Sequence, residues 1–291
     1  MIKIYKYAVV ATIIMMTVVT KAQEKQPVGL SYSYYPLKEN NDYIQQLQFK
    51  LLLPIAKSET SFLGTGIGFL QENIHSSPNN FTDQFYAIGI PFLYQYRFNN
   101  SKSIQLIGNV SINSTFKKVT FDDAVYVLGA SYIHQYSKKL KLGYGVVYVR
   151  QFFGNQIVPL LNINYKPSDK WTISGRFPVH MQSIYAFNKK NQVGIEWRLL
   201  TNSFRLDDEV YEEAYIKNRN ASLQFLYRFQ LWKQSFLSMG LGYSNRLYEV
   251  YTEPSSNITL ITFPLKDNIA PLEKFDNKGM FLEVGMNYIL F

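Results

Sequence analysis

Alternate positions along most of this chain are apolar or aromatic. Tyr86, Ile88, Ile90, Phe92, Tyr94, Tyr96 and Phe98 share one parity, and Ala87, Gly89, Pro91, Leu93, Gln95 and Arg97 hold the other. Side chains alternate between the two faces of a strand, so such a segment has one greasy face and one small or polar face. Leu140, Leu142, Tyr144, Val146 and Tyr148 likewise oppose Lys141, Gly143 and Gly145. Leu223, Phe225, Tyr227 and Phe229 oppose Ser222, Gln224, Arg228 and Gln230, and Leu237, Met239, Leu241 and Tyr243 oppose Ser238, Gly240, Gly242 and Ser244. A soluble sandwich also alternates, but its strands run to about 5–6 residues. Many segments here approach the roughly 9–11 residues that cross a bilayer at a tilt, and their aromatics gather toward the ends, as interface girdles do.

Counting by this rule predicts about fourteen strands, with twelve as the alternative count. They fall at 28–35, 43–55, 60–73, 83–98, 103–115, 124–136, 139–152, 155–166, 169–177, 179–188, 191–206, 219–231, 234–250 and 278–291. With the N-terminus in the periplasm, the connections around Lys57, Asn100, Ser137, Ser168, Asn188 and Lys233 are short. The connections 74–82, 116–123, 207–218 and 251–277 lie at the other end and are long. Short turns inside and long loops outside are the asymmetry of a bacterial barrel. The expected fold class is all-β: a transmembrane antiparallel up-and-down β-barrel over 23–291. Closure is forced by lipid, because an open sheet edge would leave backbone groups unpaired at several kcal/mol each.

The first 22 residues read as a cleavable signal peptide. Lys3 and Lys6 precede an apolar stretch from Ala8 to Val19, and Ala22 is the small residue before the cut. No later stretch reaches about 18 continuous apolar residues, so helical spans are not expected. At the other end, the run from Glu283 through Gly285 and Tyr288 to Phe291 resembles the C-terminal targeting signal of outer-membrane barrels. That resemblance implies the barrel assembly machinery as a partner, with outer-membrane lipid of a Gram-negative bacterium around the wall.

Composition narrows the chemistry. There are 23 Tyr and 21 Phe but no Cys, which excludes disulfides, a thiol nucleophile and a cysteine-linked lipid. Losing Lys3, Lys6 and Lys21 with the signal leaves +6 of the formal charge of +9. The basic residues are scattered rather than grouped in a stripe, which argues against a nucleic-acid partner. His75 is expected in a long outer loop, His134 on the lipid face, and His180 in the lumen near the outer rim. They do not converge, so neither a metal site nor a cofactor is expected. None sits at the outer rim on the lipid face with a serine, so an embedded lipid hydrolase is the least favoured function and no enzyme is expected.

Parity points several charges inward. Lys50, Arg97, Lys141 and Lys170 are expected in the lumen, as are Arg176, Arg198, Arg228 and Arg246, with Glu196 and Glu283 as the acids. Lys50, Glu196 and Arg198 fall near mid-barrel. Such an interior is either a watery passage favouring anions or a set of charges that pair off inside a closed wall. Inward glycines, among them Gly64, Gly66 and Gly68, ease the curvature of a barrel. The acidic run Asp207, Asp208, Glu209, Glu212 and Glu213 is either a solvated surface loop or a site for divalent cations that bridge lipopolysaccharide. The 251–277 connection is long enough to fold inward as a constriction or to lie over the mouth.

Several short motifs also resemble an uncharacterised family of outer-membrane β-barrel proteins, a domain of unknown function found in Bacteroidetes. They are Gly143-Tyr144-Gly145, Pro159, the run from Tyr165 to Trp171, Phe177-Pro178, and the run from Asn202 to Leu206. The resemblance implies fold and location and brings no activity. The expected function is a passive or gated channel for small or hydrophobic solutes. The alternative is a non-conducting structural or surface-binding barrel.

Overall fold

The computed structural model describes residues 25–37, 42–75, 82–206, 213–255, 257–261, 263–264 and 270–290. The proposed signal peptide therefore lies outside the described residues. So do Asp207, Asp208, Glu209 and Glu212, whereas Glu213 is exposed in a turn.

Fourteen strands build the wall. They are β1 (Lys25–Pro36), β2 (Tyr43–Lys57), β3 (Ser61–His75), β4 (Thr82–Arg97), β5 (Lys102–Ser114), β6 (Ala124–Gln135), β7 (Leu140–Gln151), β8 (Gly154–Ser168), β9 (Trp171–Phe177), β10 (His180–Ala186), β11 (Asn191–Arg205), β12 (Tyr215–Trp232), β13 (Ser235–Tyr251) and β16 (Glu273–Leu290). Two short pieces, β14 (Ile258–Leu260) and β15 (Phe263–Pro264), lie in the connection before β16. Each wall strand pairs antiparallel with its neighbours, and β16 pairs with both β13 and β1, which closes the ring.

Burial shows which face is oily. On β12, Phe225 is 71% exposed while its neighbour Gln224 is 2% exposed. Ile90, Tyr144, Leu241 and Met286 also face outward, whereas Gln105, Ser131, Glu196 and Arg246 are enclosed. An apolar exterior around a polar interior is the arrangement of a membrane barrel and the reverse of a soluble core.

The strand ends depart from expectation. β12 and β16 begin several residues earlier than the alternation predicts, at Tyr215 and Glu273, so they stand taller at the loop end. His75 closes β3 rather than sitting in a loop, with its ring 4.6 Å from that of Tyr43. Lys170 lies exposed in the β8–β9 turn, not in the lumen, because the strand starts at Trp171, two residues later than expected.

The β9–β10 hairpin is the shortest part of the wall, with 7 residues in each strand. At about 3.3 Å per residue and a tilt near 45°, seven residues rise roughly 16 Å, well short of an apolar band about 25 Å tall. The hairpin tip at Pro178 and Val179 therefore lies within the depth of the hydrocarbon. β8 pairs with β9 only from Leu161 to Ser168, and β11 pairs with β10 only from Gln192 to Arg198. Above those points the two neighbouring edges lose their wall partner. β14 takes the freed edge of β8 in parallel, with Asn155 N–H donating to the Asn257 carbonyl at 2.8 Å and Ile261 N–H to the Ile157 carbonyl at 2.9 Å.

Candidate functional site

Among the described residues, the loop-end half of β11 has no wall strand beside it on the β10 side until Arg205, and it leans across the mouth. Arg205 pairs with Ser114 of β5, which stands on the opposite side of the ring. The backbone groups that a wall partner would have taken are met from within. Gln151 Nε2 donates to the Thr201 carbonyl at 3.0 Å, Asn113 Nδ2 to the Ser203 carbonyl at 3.1 Å, and Thr115 N–H to the Arg205 carbonyl at 3.2 Å. These bonds explain how an edge can leave the ladder at membrane depth without stranded carbonyls.

Leaning inward carries Phe204, and Ile216 across the hairpin on β12, into the top of the lumen. There they pack with Tyr35, Ile44, Ile74, Phe85, Tyr248 and Phe281, all buried. Phe85 and Phe204 have ring centroids 5.4 Å apart, and Tyr35 stacks on Phe281 at 4.9 Å. The loop-end mouth is thus sealed by a dry layer. These terminal aromatics point inward, unlike the exterior girdle expected from their position at strand ends.

Beneath the seal lies a carboxylate held by four donors. Glu72 Oε2 accepts from Gln46 Nε2 and Arg246 Nη1, each at 2.9 Å, and Oε1 accepts from Tyr248 OH at 2.9 Å and Asn218 Nδ2 at 3.0 Å. Arg246 is 0% exposed and also lies over the Tyr35 ring at 3.7 Å. A second node sits at mid-wall. Glu283 takes a bidentate bond from Arg198 at 2.6 and 2.7 Å and a Ser33 hydroxyl at 2.9 Å. Glu196 accepts from Arg198 at 2.8 Å and from Gln224 at 2.6 Å, and its other oxygen is 2.6 Å from His180 Nε2. His180 is at mid-wall, not at the outer rim, because its hairpin is short. Enclosed ions that share several hydrogen bonds staple strands together, and removing one partner leaves a costly charge behind.

Below and beside these nodes is a cavity of about 970 Å³. Lys50, Lys141, Arg176, Arg228 and the mid-wall Arg198, Glu196 and Glu283 line it, while Arg246 is enclosed above in the Glu72 cluster. Its two sides differ. β9 to β12 present Arg176, His180, Glu196, Arg198 and Arg228, joined by Lys50 from β2, Glu283 from β16 and Lys141 from β7, whereas the rest of β5 to β8 contributes the aliphatic Ile107, Val127, Val147, Val158 and Leu160. Glu72 was missing from the expected inward acids, although it shares parity with Gly64, Gly66 and Gly68. Among the described residues no group of His, Asp and Glu is placed to hold a metal ion.

Comparison with known proteins adds a family and a set of distant barrels. The sequence profile described as Domain of unknown function (DUF6268) matches residues 57–259. No curated protein matches the chain. Among solved structures, a KdgM porin in complex with disordered oligogalacturonate is 11% identical, with 91% of this chain and 100% of that one covered and a TM-score of 0.36. The beta domain of the Bordetella autotransporter BrkA is 7% identical over 90% and 98% of the two chains, with a TM-score of 0.30. OccAB3 of Acinetobacter baumannii is 10% identical over 93% and 100%, with a TM-score of 0.29. Scores this low leave the fold of this chain to rest on its own strand pairings.

Proposed function

We propose, from the premise that this chain belongs to the DUF6268 family, that it is an outer-membrane transport barrel held shut at its loop end and opened by movement of the β11–β12 hairpin. The observation that carries this reading is a roomy cavity beneath a mouth into which the β11–β12 hairpin leans, packing Phe204 and Ile216 into the buried layer. The cavity supports passage of solutes, and the hairpin supports gating rather than a permanently open pore. In this reading the first 22 residues export the chain, β16 hands it to the barrel assembly machinery, and the wall settles in the outer membrane of a Gram-negative bacterium, one of the Bacteroidetes by its motifs. Lys50, Glu196, Arg198, Arg228 and Glu283 would line the path, and Arg246 would brace the closed mouth. The reading includes no enzymatic step: His180 is engaged by Glu196 inside the lumen.

The sealed mouth also favours a second reading, a non-conducting barrel whose loops bind at the surface. Planar-bilayer recording separates the two. The wild-type protein should be mostly silent, and Phe204→Asp with Ile216→Asp should give discrete steps, since two charges cannot stay in the dry layer. If the folded double variant is as silent as the wild type, the transport reading fails and the surface-binding one stands.

A further inference from the structure

Cations without counter-ions and an aliphatic surface meet inside this cavity. Lys50 on β2 and Arg176 on β9 both line it. Among the described residues neither forms an ion pair. Glu196 and Glu283 do not serve them, being engaged by Arg198 and its neighbours. Arg176 Nη2 donates to Gln105 Oε1 at 3.1 Å, a neutral acceptor. Its cross-strand neighbour Asn162 buries an Nδ2 that has no acceptor. Enclosed cations without a counter-ion and an unmet buried donor are both unfavourable, and a bound anion relieves both.

From Asn162 toward the loop end, the inner face of β8 becomes apolar at alternate positions. Leu160 and Val158 follow, packed with Val147 of β7 and flanked by Val179. Val179 is the tip of the short hairpin, where the wall stops within the hydrocarbon. Asn162, beside Arg176, and the aliphatic Leu160 and Val158 are therefore arranged along one strand, next to the point where the β9–β10 hairpin stops short.

We propose that the cavity binds a single-chain anionic amphiphile, with its acidic headgroup on Lys50, Arg176 and Asn162, its alkyl chain along Leu160 and Val158, and its entry sideways from the membrane over the β9–β10 tip. The proposal names a substrate class for the transport reading and rests on it. A headgroup with one or two negative charges matches two cations and an amide donor. A saturated chain matches a wall of Val, Leu and Ile, and the volume lies within the range of small-molecule sites, about 300–1,000 Å³.

The test uses the purified full barrel in micelles, with a fluorescent polyene fatty acid as probe. Hexadecanoate and hexadecyl phosphate should displace the probe at least about tenfold better than hexadecyltrimethylammonium, and which of the two is stronger identifies a carboxylate or a phosphate headgroup. Lys50→Ala and Arg176→Ala should each weaken the anions about tenfold and leave methyl hexadecanoate unchanged, and Arg176→Lys should restore part of the loss. Val158→Asp should weaken acid and ester alike. Resistance of the unheated variants to unfolding in dodecyl sulfate verifies the barrel. Val179→Trp should slow loading from vesicle membranes without changing affinity at equilibrium. No saturable displacement, equal binding of the cationic amphiphile, or indifference to both cation deletions would overturn the ligand. Unchanged loading in the Val179 variant would overturn the sideways route. Absence of binding with conductance intact in the mouth-opened variant removes this proposal alone, whereas silence in both removes the transport reading as well.

Discussion

At the scale of single residues, the interior is held by charges whose value lies in being shared. Glu72 meets four donors from three strands, and Arg246 beside it is 0% exposed. Arg246→Met alone should leave Glu72 enclosed without its cation and cost about 3–5 kcal/mol. Glu72→Gln alone should cost a similar amount by stranding Arg246. The double variant should recover most of the loss, because no unmatched charge remains. Denaturant midpoints in micelles read this, and additive losses would show that the two residues act independently. On the outer face the rule reverses. Ile90 is 63% exposed toward lipid, and Ile90→Arg should cost about 2–4 kcal/mol if it sits near the midplane. Such residues were legible from parity alone, since a strand has only two faces. Glu72 could have been found the same way, but it stands at a strand end where the alternation is interrupted by Asn73 and Ile74.

At the scale of elements, strand existence was legible and strand height was not. Alternation marks a segment as strand, and the break at Pro178 is visible as a proline between two short segments. What the pattern does not report is how far a strand continues once its partner stops. β12 runs up to Tyr215 because β13 and β11 pair with it through Tyr251 and Arg205. Its residues Ile216 and Asn218 face the sealed mouth rather than lipid, so the greasy-out pattern fails there. Gly154 shows the same dependence on distant chain. Its φ is +108°, and a Cβ there would strike the backbone of Asn257. Gly154→Val should push β14 off the freed edge of β8. Hydrogen exchange should then accelerate at the Asn155 and Ile261 amides by at least about tenfold while the β7–β8 ladder stays protected. Equal protection in both proteins would mean that β14 holds its place without the close approach.

At the scale of the whole molecule, the wall and the contents of the lumen are separate structures with separate sensitivities. The wall is a closed ladder that lipid enforces, whereas the seal depends on side chains that the β11–β12 hairpin carries inward and the mid-wall node on a few shared ions. Opening the mouth therefore should not melt the barrel, and it should not free the whole path either. The Arg198–Glu283–Glu196 node remains across part of the lumen after Phe204 and Ile216 are replaced, so conductance in that variant should be small. Adding Glu283→Gln breaks the bidentate bond and leaves Arg198 with one acid instead of two. The path then carries Lys50, Lys141, Arg176, Arg228 and a partly released Arg198 against Glu196 and the two carboxylates introduced at positions 204 and 216, so cations still outnumber acids by five to three. Counter-ions gather where fixed charge is unbalanced, so this triple variant should conduct more and favour chloride over potassium. Reversal potentials under a salt gradient measure that preference. A cation preference, or no change on adding Glu283→Gln, would place the ion path away from the mid-wall node and along the aliphatic side of the cavity instead.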